Sequence, residues 1–433
     1  MEYYIIIAAS VIIILSYFFN WVSDKTNFPS VLSLIMLGII IQQLISMFGI
    51  DYEYVLNTFH EIKLLELLGT LGLILIVLEA ALDLEIRRSK FPLILRSFFT
   101  ALAGLLITAL AIACVFQLFI SNLTFINALI YATPLSILSS AIVIPSVSNL
   151  AETQKEFHIY ESTFSDILGI MLFYFLISLA GESSDILAVG DFSISLVITI
   201  IVSISLSYLL LYVFQKLEAK VKLFLMIAVL ILLFSVGKLM HLSSLIIILI
   251  FGIILSNHRV FFSGKFKNLI NKEVTDQIYD SFHLITMESA FVVRTFFFVI
   301  FGFTVLLGSL LDLSVALISA LVLLSIYTIR IISLKLLLKR EIKLSTLIAP
   351  RGLITLLLYY SIPSEFKIPD FNEGILLFII IISSLLMTYG LIKFGNKEGE
   401  KESSESEESK ATEPAPEEIT IENDDDSILN IPD

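Results

Sequence analysis

Glu161-Ser162-Thr163-Phe164-Ser165-Asp166 sits inside a run of apolar residues, and Ala349-Pro350-Arg351-Gly352 interrupts another. A carboxylate at membrane depth costs about 2.5–3.5 kcal/mol on insertion scales, so a chain that keeps one there uses it. A Pro/Gly break in a spanning helix exposes backbone groups that lipid cannot satisfy, so such breaks line cavities. Together the two stretches imply an ion site buried among spanning helices.

The rest of the chain is consistent with that environment. Its 433 residues are 57% hydrophobic and only 15% charged, with mean hydropathy +0.96. A soluble domain of this length would not be so apolar. Successive apolar runs read as an all-α polytopic membrane protein, with spans near 3–20, 28–48, 63–83, 91–120, 125–149, 158–180, 192–214, 221–239, 243–256, 276–307, 310–334, 345–362 and 373–394. That makes thirteen. The single cysteine, Cys114, lies within a run and excludes a disulfide framework. The five histidines, at 60, 158, 241, 258 and 283, form no close pair, so a protein-held metal is not expected. No cofactor and no nucleic-acid partner is implied. The N-terminus lacks a basic flank and a cleavage site, and reads as the first span.

Loop charge gives orientation. One alternating set of loops holds Lys25, then Arg87, Arg88 and Lys90, then Lys155, Lys216, Arg259 and Lys335. The other holds Asp51, Glu53, Glu182, Asp185, Asp312, Glu365 and Asp370. Basic loops stay inside, so the N-terminus is expected outside and the C-terminus in the cytoplasm of a bacterial-type inner (plasma) membrane. Net charge is −13, but from Lys397 onward fourteen acidic and three basic residues contribute −11, leaving about −2 for the rest. The expected division is a transmembrane domain over 1–396 and a disordered acidic cytoplasmic tail over 397–433.

Thirteen spans divide as six, a linker and six, which matches the fifth span with the twelfth. The fifth carries Pro134, Ser139-Ser140 and Pro145, and the twelfth carries Pro350-Arg351-Gly352. Interruptions at matching positions are the mark of inverted-repeat secondary transporters, with two crossed discontinuous helices.

The residues resemble the monovalent cation:proton antiporter superfamily, which includes NhaP-type and eukaryotic sodium/proton exchangers and a Kef-type potassium/proton branch. Exchangers carry Glu-Ser-x-x-Asn-Asp in the sixth span; residues 161–166 match it except that Ser165 replaces Asn. Leu138-Ser139-Ser140-Ala141 looks like the broken helix of the Kef branch, and the exchanger Thr-Asp-Pro is reduced to Thr133-Pro134. Phe296-Phe297-Phe298-Val299-Ile300-Phe301-Gly302 and Pro350-Arg351-Gly352 resemble later family segments in the same order. The resemblance implies an NhaA-like antiporter fold, a homodimer, and exchange of Na⁺ (or K⁺ or Li⁺) for H⁺ by alternating access.

It also implies roles. Asp166 is the carboxylate that holds a cation or a proton in turn. Ser162, four residues earlier on the same helix face, and Thr133, Ser139 and Ser140 from the broken helix are the expected additional oxygen ligands. Glu161 lies about 140° around the helix from Asp166 and is assigned to a structural pair with Arg330. Arg294 is assigned either to the ion-site Asp166, or to a pair with Glu288 or an interfacial position that its long side chain reaches, and Arg351 to compensation of helix C-terminal dipoles. Electrogenic relatives carry two adjacent carboxylates here; Ser165 supplies none, so exchange is expected to be electroneutral. A gated K⁺ pathway of Kef type is the alternative, and a membrane-embedded enzyme would need a His/Cys/Asp cluster that the spans lack.

Overall fold

Every span expected from hydropathy coincides with helix in the computed structural model, which describes residues 2–26, 28–47, 64–84, 86, 88–120, 123–147, 150–181, 186–216, 223–239, 244–262, 271–304, 312–337, 342–368 and 371–395. The helices are α1 (Glu2–Thr26), α2 (Ser30–Met47), α3 (Leu64–Asp83), α4 (Phe91–Phe119), α5 (Phe125–Ser136), α6 (Ser140–Ser146), α7 (Glu152–Gly181) and α8 (Ile186–Lys216). They continue as α9 (Leu223–Leu239), α10 (Ser244–Ser256), α11 (His258–Phe261), α12 (Lys272–Thr304), α13 (Leu313–Leu337), α14 (Lys343–Leu347), α15 (Leu353–Tyr360) and α16 (Gly374–Gly390). The acidic tail, and the domain boundary placed before it, lie outside the described residues.

Two expected spans are not continuous helices. The fifth divides into α5 and α6 around residues 137–139, and the twelfth into α14 and α15 around 348–352. Proline explains one break directly: Pro350 lacks the N–H and its ring clashes with the preceding turn. Pro134, by contrast, is contained within α5, and the chain unwinds only after Ser136.

Burial is inverted relative to a soluble protein. Large apolar side chains such as Ile14, Phe18, Leu110, Ile201, Leu232 and Leu324 face outward, while Ser97, Thr108, Ser203, Ser319 and Ser383 are buried. Lipid is as apolar as leucine, so helix association relies on close packing and internal polar contacts. Among the described residues, eight helices are long and apolar enough to cross a membrane on length and composition alone. Buried hydroxyls mostly donate to a carbonyl one turn earlier, as Thr100 does to Arg96 O (2.8 Å) and Ser146 to Ile142 O (2.7 Å).

The helices pack as two groups. One holds α1, α2, α3, α8, α9, α10 and α12; the other holds α4 to α7 and α13 to α16. They meet mainly where α3 lies on α15 and where α7 lies on α8 and α3. The tightest seam of the first group joins α2 to α12, where a Cβ on Gly302 would fall 2.2 Å from Ile35 O and one on Gly38 would fall 2.1 Å from Val299 O. The two backbones touch there, and Phe297, Phe298 and Phe301 fill the space alongside.

Gly302→Ala should therefore force the seam apart and lower stability by about 1–3 kcal/mol. Gly104, where a Cβ meets nothing within 4 Å, is the comparison. Gly104→Ala should be neutral or stabilising, by up to about 1 kcal/mol. Thermal unfolding in detergent measures both; equal melting temperatures for the two variants would contradict the packing.

Candidate functional site: a buried carboxylate at two broken helices

The unwound segments of the fifth and twelfth spans face each other. The N–H of Ser139 donates to the carbonyl of Pro350 (3.0 Å). Gly352 permits the approach: a Cβ there would lie 2.6 Å from Ser139 Oγ and 2.8 Å from Ile142 Cδ1. Carbonyls freed at the end of α5 are taken up from the other break. Arg351 Nε donates to Leu135 O (2.6 Å), and Thr355 Oγ1 donates to Pro134 O (2.9 Å). Arg351 Nη1 also reaches Ala349 O (3.2 Å), and its backbone N–H donates to Ser383 Oγ (3.0 Å). Arg351 thus satisfies orphaned helix-end carbonyls, which in lipid have no water to turn to.

Helix α7 passes beside these breaks. Ser165 Oγ accepts the N–H of Leu138 (3.0 Å), so this residue, read in the sequence only for the charge it lacks, holds the unwound chain. Asp166 is 1% exposed, and neither of its carboxylate oxygens has a hydrogen-bond partner of ordinary geometry among the described residues. The hydroxyl and N–H of Ser140 are the groups nearest to interacting with it.

The expected hydroxyl ligands separate into two kinds. Ser139 Oγ is buried without a partner among the described residues. Ser162 and Thr133 instead donate to their own helix, to His158 O (2.8 Å) and Leu129 O (2.7 Å). Thr163, which the sequence reading passed over, has a buried hydroxyl with no partner among the described residues. Three residues from Asp166, it lies about 60° around the helix, as legible a spacing as that of Ser162.

On the opposite face of α7, Arg330 of α13 meets Glu161 with both ends of its fork: Nη1 to Oε1 is 3.0 Å and Nη2 to Oε2 is 3.1 Å. Arg330 Nε donates to Ser345 O (2.8 Å) in α14. His158 completes the group, with Nδ1 3.2 Å from Glu161 Oε2 and Nε2 3.1 Å from Ser345 Oγ. A histidine that formed no sequence cluster is thus at the centre of a spatial one.

A cavity of about 390 Å³ lies between the two helix groups. Ser140, Ala141, Ile144 and Pro145 line it from one group, and Glu79, Asp83, Glu288, Arg294 and Thr295 from the other. Arg294 is placed with neither expected partner. Its Nη2 lies 3.6 Å from Glu79 Oε1, while Glu288 accepts the hydroxyl of Tyr17 (2.7 Å). The sequence carried no signal for this choice, because it depends on how α3 and α12 are juxtaposed. Asp83 is held by His283 Nε2 (2.7 Å). Thr295 presents a further buried hydroxyl without a partner.

Breaking a buried pair leaves an uncompensated charge, which costs about 3–5 kcal/mol. Arg330→Ala should accordingly lower the melting temperature markedly. The double variant Glu161→Gln with Arg330→Gln removes both charges and should recover part of that loss. Strictly additive losses in a double-mutant cycle would show that the two side chains are not energetically coupled.

No curated protein matches the chain in sequence. Among solved structures it is similar to the sodium proton antiporter MjNhaP1 from Methanocaldococcus jannaschii at pH 8, with 20% identity and TM-score 0.67, covering 92% of this chain and 98% of that one. A three-dimensional electron-microscopy map of the same antiporter gives 18% identity and TM-score 0.60, covering 92% and 96%. At these identities the likeness establishes the fold. The transmembrane sodium/hydrogen exchanger family matches residues 8–394, nearly the whole chain, and the protein belongs to that family.

Proposed function

We propose that this protein is an electroneutral Na⁺/H⁺ antiporter of the inner (plasma) membrane, with Asp166 as the exchanging group. The observation that carries this reading is the setting of Asp166: a fully buried carboxylate whose two oxygens have no hydrogen-bond partner of ordinary geometry among the described residues. An ionised carboxylate in that position is untenable alone, so it must hold either a proton or a cation. Oxygen donors suit a hard monovalent ion, and Ser139, Ser140 and Thr163 bring hydroxyls to the same crossing.

Alternating access then follows from the two helix groups. The cavity runs from Ser140 to Ser23 and Asp83, at the ends of α1 and α3 that the loop charges assign to the cytoplasmic side. Movement of the group carrying Asp166 against the other would expose the carboxylate to the opposite face. A second copy of the chain would steady the other group. Glu161 is neutralised by Arg330, so one unpaired carboxylate remains on α7. One cation leaves as one proton binds, and the moving group carries the same charge in both directions. The Kef-like segment Leu138-Ser139-Ser140-Ala141 makes K⁺ the second candidate for the cation.

Asp166→Asn keeps the volume and removes the exchangeable charge. Cation-dependent proton flux in vesicles, with Na⁺, K⁺ and Li⁺ added in turn, should disappear while folded protein remains; wild-type flux from a well-folded Asn variant would sink the assignment.

Stoichiometry has its own test in proteoliposomes with the membrane potential clamped at several values. Rate and end-point should not follow the potential. A steady current would require a second titrating group.

A further inference from the structure

We infer that His158 is a positioning residue for the ion site: it ties the half-helix α14 to α7 and so sets where the second broken segment presents its backbone to the first. The inference rests on Asp166 being the exchanging group. His158 is buried, and a single neutral tautomer serves both of its contacts. Its Nδ1–H donates to Glu161 Oε2 (3.2 Å), and the Ser345 hydroxyl donates to Nε2 (3.1 Å).

The contact with Glu161 is not needed to balance charge, because Arg330 already meets both carboxylate oxygens. What it does is fix the ring, so that Nε2 faces Ser345 on another helix. Helix α14 spans only Lys343–Leu347, too short to hold its place by its own hydrogen bonds. Ser345 anchors it twice, through its hydroxyl to His158 on α7 and through its carbonyl to Arg330 Nε on α13. Five residues later, Pro350 O receives the N–H of Ser139, the residue next to Ser140 at Asp166. A shift of α14 therefore moves the carbonyl that places Ser139.

The test uses full-length protein in proteoliposomes, reading apparent KM and Vmax for Na⁺, with thermal unfolding measured in parallel. The variants are His158→Ala, His158→Asn, Ser345→Ala and the double His158→Ala/Ser345→Ala. Asparagine puts an amide near the place of Nδ1, so it keeps the donor to Glu161 but does not reach Ser345. Each single change should raise the Na⁺ KM about five- to tenfold, the size of one buried hydrogen bond, with Vmax per folded protein within about twofold. The double variant should be no worse than the singles. A residue that merely supported folding would lower the melting temperature and the yield without moving KM. Unchanged KM in Ser345→Ala, a wild-type KM in His158→Asn, or additive shifts in the double variant would each overturn the inference. Ser345→Ala removes only a hydroxyl and keeps the test available if His158→Ala does not fold. Wild-type transport by Asp166→Asn would instead defeat the reading of the ion site itself, whatever the KM values.

Discussion

Backbone groups at membrane depth have no solvent to fall back on, and this constraint shapes the centre of the molecule. Two spans are interrupted, and each interruption supplies what the other lacks. Ser139 N–H goes to Pro350 O, while Arg351 and Thr355 return donors to Leu135 O and Pro134 O. Ser165 takes the N–H of Leu138 from α7. A single unsatisfied amide there would cost several kcal/mol, so the breaks are stable only as a pair.

That mutual satisfaction leaves a contrast around α7. On one face, the Glu161, Arg330, His158 and Ser345 groups are bonded to one another. On the other, Asp166, Thr163 and Ser139 offer oxygens that bind nothing else in the protein among the described residues. The bonded side fixes geometry, and the unbonded side is where the proposed exchange would take place. The same helix thus carries one carboxylate bound into the architecture and another that is not.

The cavity adds a third element. Its walls come from both helix groups, which elsewhere share few contacts. The tight glycine seam between α2 and α12 keeps one wall rigid, and Arg294 and Glu79 stand on that wall.

Much of this was legible from residues alone. Apolar runs of membrane-spanning length coincide with helix along the described residues, because in lipid a span must satisfy its own backbone. Prolines at 134, 145 and 350 marked the interrupted spans, since proline removes a donor wherever it falls. The position of Glu161 about 140° from Asp166 already separated their directions, because helical periodicity is local. Which hydroxyls are free was not legible: Ser162 and Thr163 both flank Asp166, and only the rotamer taken within the packed helix turns one to its own backbone and leaves the other open. Nor could the sequence pair Arg294 with Glu79 or bring His158 to Ser345, 187 residues away. The sequence by itself determined the apolar spans, the interrupted segments and the presence of a carboxylate among them, all of which follow from local composition and period. Only the tertiary structure decided the partners, because a hydrogen bond between helices depends on their relative height and rotation, and no single segment encodes either.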